Sequence, residues 1–143
     1  MNLFTIGYSR KSAEEFFTSL TKSGVKKLID IRLHNTSQLA GFANVKHLPY
    51  LLKLHNIAYE YKIDFAPTKE LLKDYQDKKI NWHEYEKQYN NILINRDIIK
   101  KIYLNEFEDA VLLCSEPTAK QCHRRLASEY LLKHFGNINI KHL

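Results

Sequence analysis

One stretch, Cys114-Ser115-Glu116-Pro117-Thr118-Ala119-Lys120-Gln121-Cys122-His123-Arg124-Arg125, holds the densest chemistry in the chain and both of its cysteines. A thiol attacks only as its thiolate. A helix N-terminus, an imidazole or a guanidinium nearby lowers its pKa from about 8.5. Cys114 has such neighbours in His123 and Arg124, while the carboxylate of Glu116 opposes them. Two readings stand open for Cys114: a reactive thiol with His123 as its acid/base partner, or a buried inert one. Thr118-Ala119-Lys120-Gln121 is a capping-box pattern and predicts a helix running to about His134. At about 100° per residue, His123 falls at the centre of the stripe formed by Leu126, Ala127 and Tyr130, so it faces the sheet. Arg125 points to solvent in this projection, and Arg124 borders the stripe and reaches the edge of a site. The helix start at Thr118 and Arg124 together make an anion site. Cys114, Cys122 and His123 also count as three ligands of a Cys₂His metal site. Against a metal, Cys122 and His123 are adjacent, and no CxxC spacing occurs.

Three other groups have the residue types for binding. Gly7-Tyr8-Ser9 follows a short apolar run, and Gly7 would let a ligand approach the backbone. Asp30 and Arg32 flank Ile31, so in a strand they share a face, as an anion clamp, a partly buried ion pair, or both. His34, Ser37 and His47 lie in or beside a polar stretch over residues 33–45 that reads as a long functional loop. Trp82, Tyr85 and Tyr89 have the residue type to stack bases, but their spacing of three and four suits core packing. No GxGxxG or Walker A sequence occurs, so neither an NAD site nor a P-loop follows, and the residues imply no particular cofactor.

These groups need elements to bring them together. Leu3–Ile6, Lys27–Ile31, Ile57–Ile63, Ala110–Cys114 and Ile138–Ile140 read as strands, Ala110–Cys114 being the most apolar. The capping box Ser12-Ala13-Glu14-Glu15 opens a first helix that ends at Gly24. Further helices are predicted over Leu48–Leu54, from Pro67-Thr68 to about Gln76, from Trp82 to about Leu93, and from Asp97 to about Tyr103. Alternating strands and helices predict one three-layer α/β/α domain over residues 1–143, Rossmann-like, with a mainly parallel sheet. In such a sheet ligands bind beyond the carboxyl ends of the strands. The polar groups above follow three separate strand ends, so the fold would gather them into one site.

Length and composition agree with this. A chain of 143 residues, 44% apolar and 27% charged, has the size and balance of a single globular domain. The N-terminal residues have no signal-peptide pattern and no apolar run reaches the roughly 18 residues of a span, which predicts a cytoplasmic protein without membrane contact. The net charge of +6 is uneven: residues 1–60 carry +4, 61–110 carry −1 and 111–143 carry +3. Basic chain ends on one face would attract a phosphate, a nucleotide or nucleic acid, or would serve solubility alone.

Thr5-Ile6-Gly7-Tyr8-Ser9, Asp30-Ile31-Arg32, Ser37 with Gly41-Phe42, and Cys114-Ser115-Glu116 with Cys122-His123-Arg124-Arg125 resemble the bacterial and archaeal domain-of-unknown-function family numbered 488. The likeness runs from Leu3 to about Leu132, with Asn35 where many members have proline. It implies a single α/β domain and marks Tyr8, Asp30, Arg32, Ser37, Cys114, Glu116, Cys122, His123 and Arg124 as shared polar positions. It implies no reaction or substrate. The leading expectation is an enzyme for a small anionic ligand bearing phosphate or a nucleotide. Cys114, His123, Asp30 and Glu116 would be catalytic, and Tyr8, Ser9, Arg32, Ser37, Thr118 and Arg124 would bind. The alternatives are a nucleic-acid-binding module without catalysis and, third, a metal-dependent enzyme. The sequence leaves the oligomeric state open.

Overall fold

A computed structural model describes residues 1–143. Five strands form one sheet: β1 (Asn2–Gly7), β2 (Lys27–Asp30), β3 (Ala58–Tyr61), β4 (Ala110–Cys114) and β5 (Asn139–His142). Their order is β3-β2-β4-β1-β5 and every pairing is parallel. The sheet is thus wholly parallel. β4 lies at its centre and is buried along its whole length, which is why Ala-Val-Leu-Leu-Cys has no polar alternation.

The helices cover both faces. α1 (Ala13–Lys22) and α2 (Leu48–Leu54) pack on one side, where Phe16, Phe17, Leu20, Leu48 and Leu52 meet Phe4, Ile6, Leu28 and Val111. α3 (Lys69–Gln76), α4 (Trp82–Asn95), the short α5 (Ile98–Lys101) and α6 (His123–Phe135) follow on the other side. There Tyr89, Leu93, Leu126 and Leu131 meet Leu3, Ile29 and Leu112. The arrangement is three-layer α/β/α. No helix is long and apolar enough to cross a membrane.

The local signals at α1 are realised atom by atom. Ser12 Oγ accepts from the Glu15 amide, the Glu15 carboxylate accepts from the Ser12 amide, and Gly24 takes φ +74° past the helix end. Ser12→Ala is expected to cost about 1 kcal/mol in urea unfolding; an unchanged midpoint would mean that water replaces the cap.

Some boundaries differ from expectation. β2 stops at Asp30 and β3 is shorter at both ends. β5 runs on to His142, and the helix expected over 97–103 shrinks to α5, with Asp97 left-handed at φ 52°. The largest difference is at α6, which starts at His123 instead of Thr118, with Cys122 as N-cap. A Thr cap contributes about 1 kcal/mol. Cys122 and His123 make buried contacts only if the chain first crosses the end of β4 as an irregular loop, and those contacts prevail.

The strand order places the site. The chain leaves β1 and β2 toward one edge, over α1 and α2, and leaves β4 toward the other, over α6. Adjacent strands with exits in opposite directions open a crevice at their carboxyl ends. β4 has such a neighbour on each side, so the crevice sits above Cys114.

Candidate active site

A cavity of about 250 Å³ lies at that crevice. Its floor includes Cys114, Cys122 and His123, and Tyr8 and Arg32 reach it from the ends of β1 and β2. Leu33, His34 and Ser37 come from the loop after β2, and Tyr75, Trp82 and Tyr85 from α3 and α4.

The backbone above the sheet holds Cys114 in place. Past the last paired residues, the Tyr8 amide donates to the Cys114 carbonyl at 3.3 Å and the Ser9 amide to the Ser115 carbonyl at 3.0 Å. Gly7 is needed there for space: an added Cβ would lie 1.6 Å from the Glu116 carbonyl oxygen.

Cys114 Sγ is 3.3 Å from His123 Nδ1, and His123 Nε2 is 2.7 Å from the Ile31 carbonyl oxygen. A carbonyl only accepts, so Nε2 carries a proton and Nδ1 faces the sulfur. Burial disfavours the Cys114 thiolate. The Cys122 thiol, the charge and hydrogen bond of His123, and the Glu116 amide outweigh it and hold the Cys114 thiol well below its usual range. Burial and the adjacent Cys114 sulfur push the Cys122 thiol well up. Burial alone would lower His123, yet the Cys114 sulfur raises it. Sulfur and imidazole thus favour each other's charged form, the thiol being lowered and the imidazole raised.

Asp30 and Arg32 form a buried fork: Nε donates to Oδ1 and Nη2 to Oδ2, each at 2.9 Å. Asp30 Oδ1 also accepts from the Arg32 amide, and Oδ2 accepts from the Tyr59 hydroxyl at 2.7 Å. The Tyr61 hydroxyl donates to the Arg32 carbonyl at 2.8 Å. Burial disfavours the Arg32 cation, but Asp30 more than compensates and raises its pKa. The fork uses two of the five guanidinium N–H donors, which leaves the others for a ligand. Asp30 itself is fully buried behind Arg32 and does not line the cavity.

The remaining expected site residues divide. Ser37 and Glu116 line the cavity; Glu116 is exposed, and its backbone amide, not its carboxylate, acts on the Cys114 sulfur, in favour of the thiolate. Ser9 joins the two strand-end loops through its backbone and is not on the cavity wall. Thr118 lies exposed in the loop ahead of α6, so no helix starts there. Arg124 does not reach the cavity edge. It is fully buried, its three guanidinium nitrogens have no partner, and its charge acts on Lys11, Cys122, His123 and His142. Arg125 does not point freely to solvent: it donates to the Lys120 carbonyl and lies 5.6 Å over the Trp82 ring. Residues 123–135 are helical, so the projected spacing holds; the buried arc of α6 is wider than the stripe drawn from Leu126, Ala127 and Tyr130, extends to Leu131 and Ser128, and takes in Arg124. His34 is on the cavity wall, whereas His47 lines a separate groove with Phe42 and Tyr50.

Tyr59, Tyr61, Tyr75 and Gln121 were not legible as site residues. Tyr59 and Tyr61 read as ordinary strand alternation, and only the strand order sets them beside Asp30 and Arg32. Tyr85, one of two open readings, is 2% exposed yet lines the cavity, and its phenol stays protonated because burial and the two sulfurs raise its pKa. Tyr89 is pure core, its hydroxyl donating to the Phe65 carbonyl at 2.7 Å.

Neither a curated protein nor a solved structure matches the chain. The family described as Domain of unknown function DUF488 matches residues 12–131 of the 143, and the chain belongs to that family.

Proposed function

We propose that this family member is an enzyme that binds a small anionic ligand above β4 and attacks it with the Cys114 thiolate. One observation carries the reading: Cys114 Sγ lies 3.3 Å from His123 Nδ1, and His123 is oriented by the Ile31 carbonyl. Nucleophile, base and orienting group are the three parts of an activated nucleophile. Arg32, held by Asp30, binds the anion. His123 takes the Cys114 proton on Nδ1, sulfur forms a bond to the electrophilic atom, the bond to the leaving group breaks, and His123 passes that proton to the departing group. The Tyr85 hydroxyl, on the same cavity, is a second donor for charge developing on the ligand.

The test is the rate of iodoacetamide alkylation against pH in a Cys122→Ser background, where serine keeps a donor beside Cys114. A thiolate fraction rises with pH through the thiol's pKa. The expected midpoint therefore lies below the roughly 8.5 of free cysteine, and His123→Ala moves it upward. A midpoint at or above the free value, or no labelling without denaturant, would make Cys114 structural and remove covalent chemistry.

A second reading has its own observation. The donor atoms of Cys114, Cys122 and His123 all lie within 4.8 Å of one another, compatible with a Cys₂His zinc site whose fourth position opens to ligand. One equivalent of zinc that binds tightly and protects both thiols from alkylation would favour it over the nucleophile.

A further inference from the structure

The cavity has two chemically different ends. One is cationic: Arg32, whose guanidinium lies 5.4 Å from the Tyr8 ring. The other is aromatic. Tyr75, Trp82 and Tyr85 touch one another with ring centroids 5.0–5.7 Å apart, and Trp82 and Tyr85 lie within 17° of parallel. Tyr85 is stacked between Trp82 and Tyr89, and the Trp82 ring is packed by Tyr85 and Arg125; the half-buried Tyr75 ring and the edge of Trp82 are what this end offers the cavity. The cavity's 250 Å³ is close to the lower end of small-molecule sites, roughly 300–1,000 Å³. A bare oxyanion would meet Arg32 and leave the aromatic wall in water. Gln76 and Gln121 add side-chain amides to the lining; Gln121 Oε1 accepts from the Tyr75 hydroxyl at 3.1 Å, which leaves its NH₂ and both ends of Gln76 for a heterocycle edge.

We propose that the ligand is a mononucleotide, its base against the Tyr75 ring beside the Trp82 edge and its phosphate on Arg32. The inference rests on the anionic part of the function proposed above and adds the ring. Base–aromatic stacking tolerates any base, because every base has a π-face, so the wall selects for a planar heterocycle and not for one sequence letter.

Trp82 is the chain's one tryptophan, so its fluorescence reports on this wall. The full chain is titrated with adenosine monophosphate, uridine monophosphate, ribose 5-phosphate and orthophosphate, by fluorescence and by calorimetry. The mononucleotides are expected to quench saturably and to bind at least tenfold more tightly than ribose 5-phosphate. Tyr75→Ala should weaken the mononucleotides about tenfold, the size of a lost stacking contact, and leave ribose 5-phosphate unchanged, while Tyr75→Phe keeps most of the affinity. If Tyr75→Ala fails to fold, the four-ligand series and the Phe variant decide. Ribose 5-phosphate binding as tightly as the nucleotides would overturn the ring and leave the anion site standing. Failure of all four to bind would overturn both. An oligonucleotide that binds with a steep salt dependence, with no mononucleotide affinity, would replace the proposal by a nucleic-acid surface.

Discussion

Asp30→Ala is expected to destabilise the fold by about 3–5 kcal/mol, because it leaves the Arg32 guanidinium buried without its counter-charge. The Asp30 side chain is 0% exposed and that of Arg32 4%, so water is a poor substitute for the lost carboxylate. The same change removes the acceptor for the Tyr59 hydroxyl and for the Arg32 amide. Against a total stability of about 5–15 kcal/mol, this is a large share, and urea unfolding reads it directly. Two comparisons separate the causes. Tyr59→Phe deletes one hydrogen bond to the carboxylate and should cost about 1–2 kcal/mol. Replacing Asp30 and Arg32 together by leucines removes both charges and should cost less than Asp30→Ala alone. If Asp30→Ala cost under about 1 kcal/mol, Arg32 would have found water, and the rigid anion clamp would be wrong.

Gly7→Ala is expected to damage stability and site together. The obstruction is backbone: the new Cβ would sit 1.6 Å from the Glu116 carbonyl oxygen and 2.7 Å from its carbon. No rotamer relieves that, so the loop after β4 must move. The hydrogen bonds that tie Tyr8 and Ser9 to that loop then stretch, and the Glu116 amide leaves the Cys114 sulfur. Overpacking of this kind costs about 1–3 kcal/mol, occasionally more. The distinctive readout is alkylation, whose pH midpoint should rise toward that of an ordinary thiol in Gly7→Ala. A variant with wild-type melting and a wild-type alkylation profile would show that the loop yields freely and does not set the thiol.

What was legible in the sequence follows from the range of each interaction. β4 declared itself because a strand buried on both faces has no polar positions, and α1 because its cap spans only Ser12 to Glu15. Cys114, His123 and Arg32 were legible as candidates because strand ends in a parallel sheet are predictable places. The start of α6 was not, since the Thr118-to-Gln121 pattern is local while the contacts of His123 with Cys114 and Ile31 span 9 and 92 residues. The misplacement of Arg124 has a separate cause: the buried arc of α6 runs past Ala127 to Leu131 and Ser128, and Arg124 falls inside it. The aromatic wall was ambiguous for another reason. Trp82, Tyr85 and Tyr89 share one helical stripe, and only the depth of each along α4 distinguishes the core member from those at the cavity.

The strand order has a consequence for how the chain reaches this state. β1 and β2 never pair with each other; both pair with β4, more than 75 residues beyond the end of β2. During synthesis the ribosome therefore releases β1, α1, β2, α2 and β3 before the strand that joins them exists. At about 5–20 residues per second, that interval lasts several seconds, with the apolar faces of α1 and α2 waiting for Val111 and Leu113. β4 is the keystone of assembly as well as the carrier of Cys114, so the nascent chain acquires its sheet and its thiol site in the same late step.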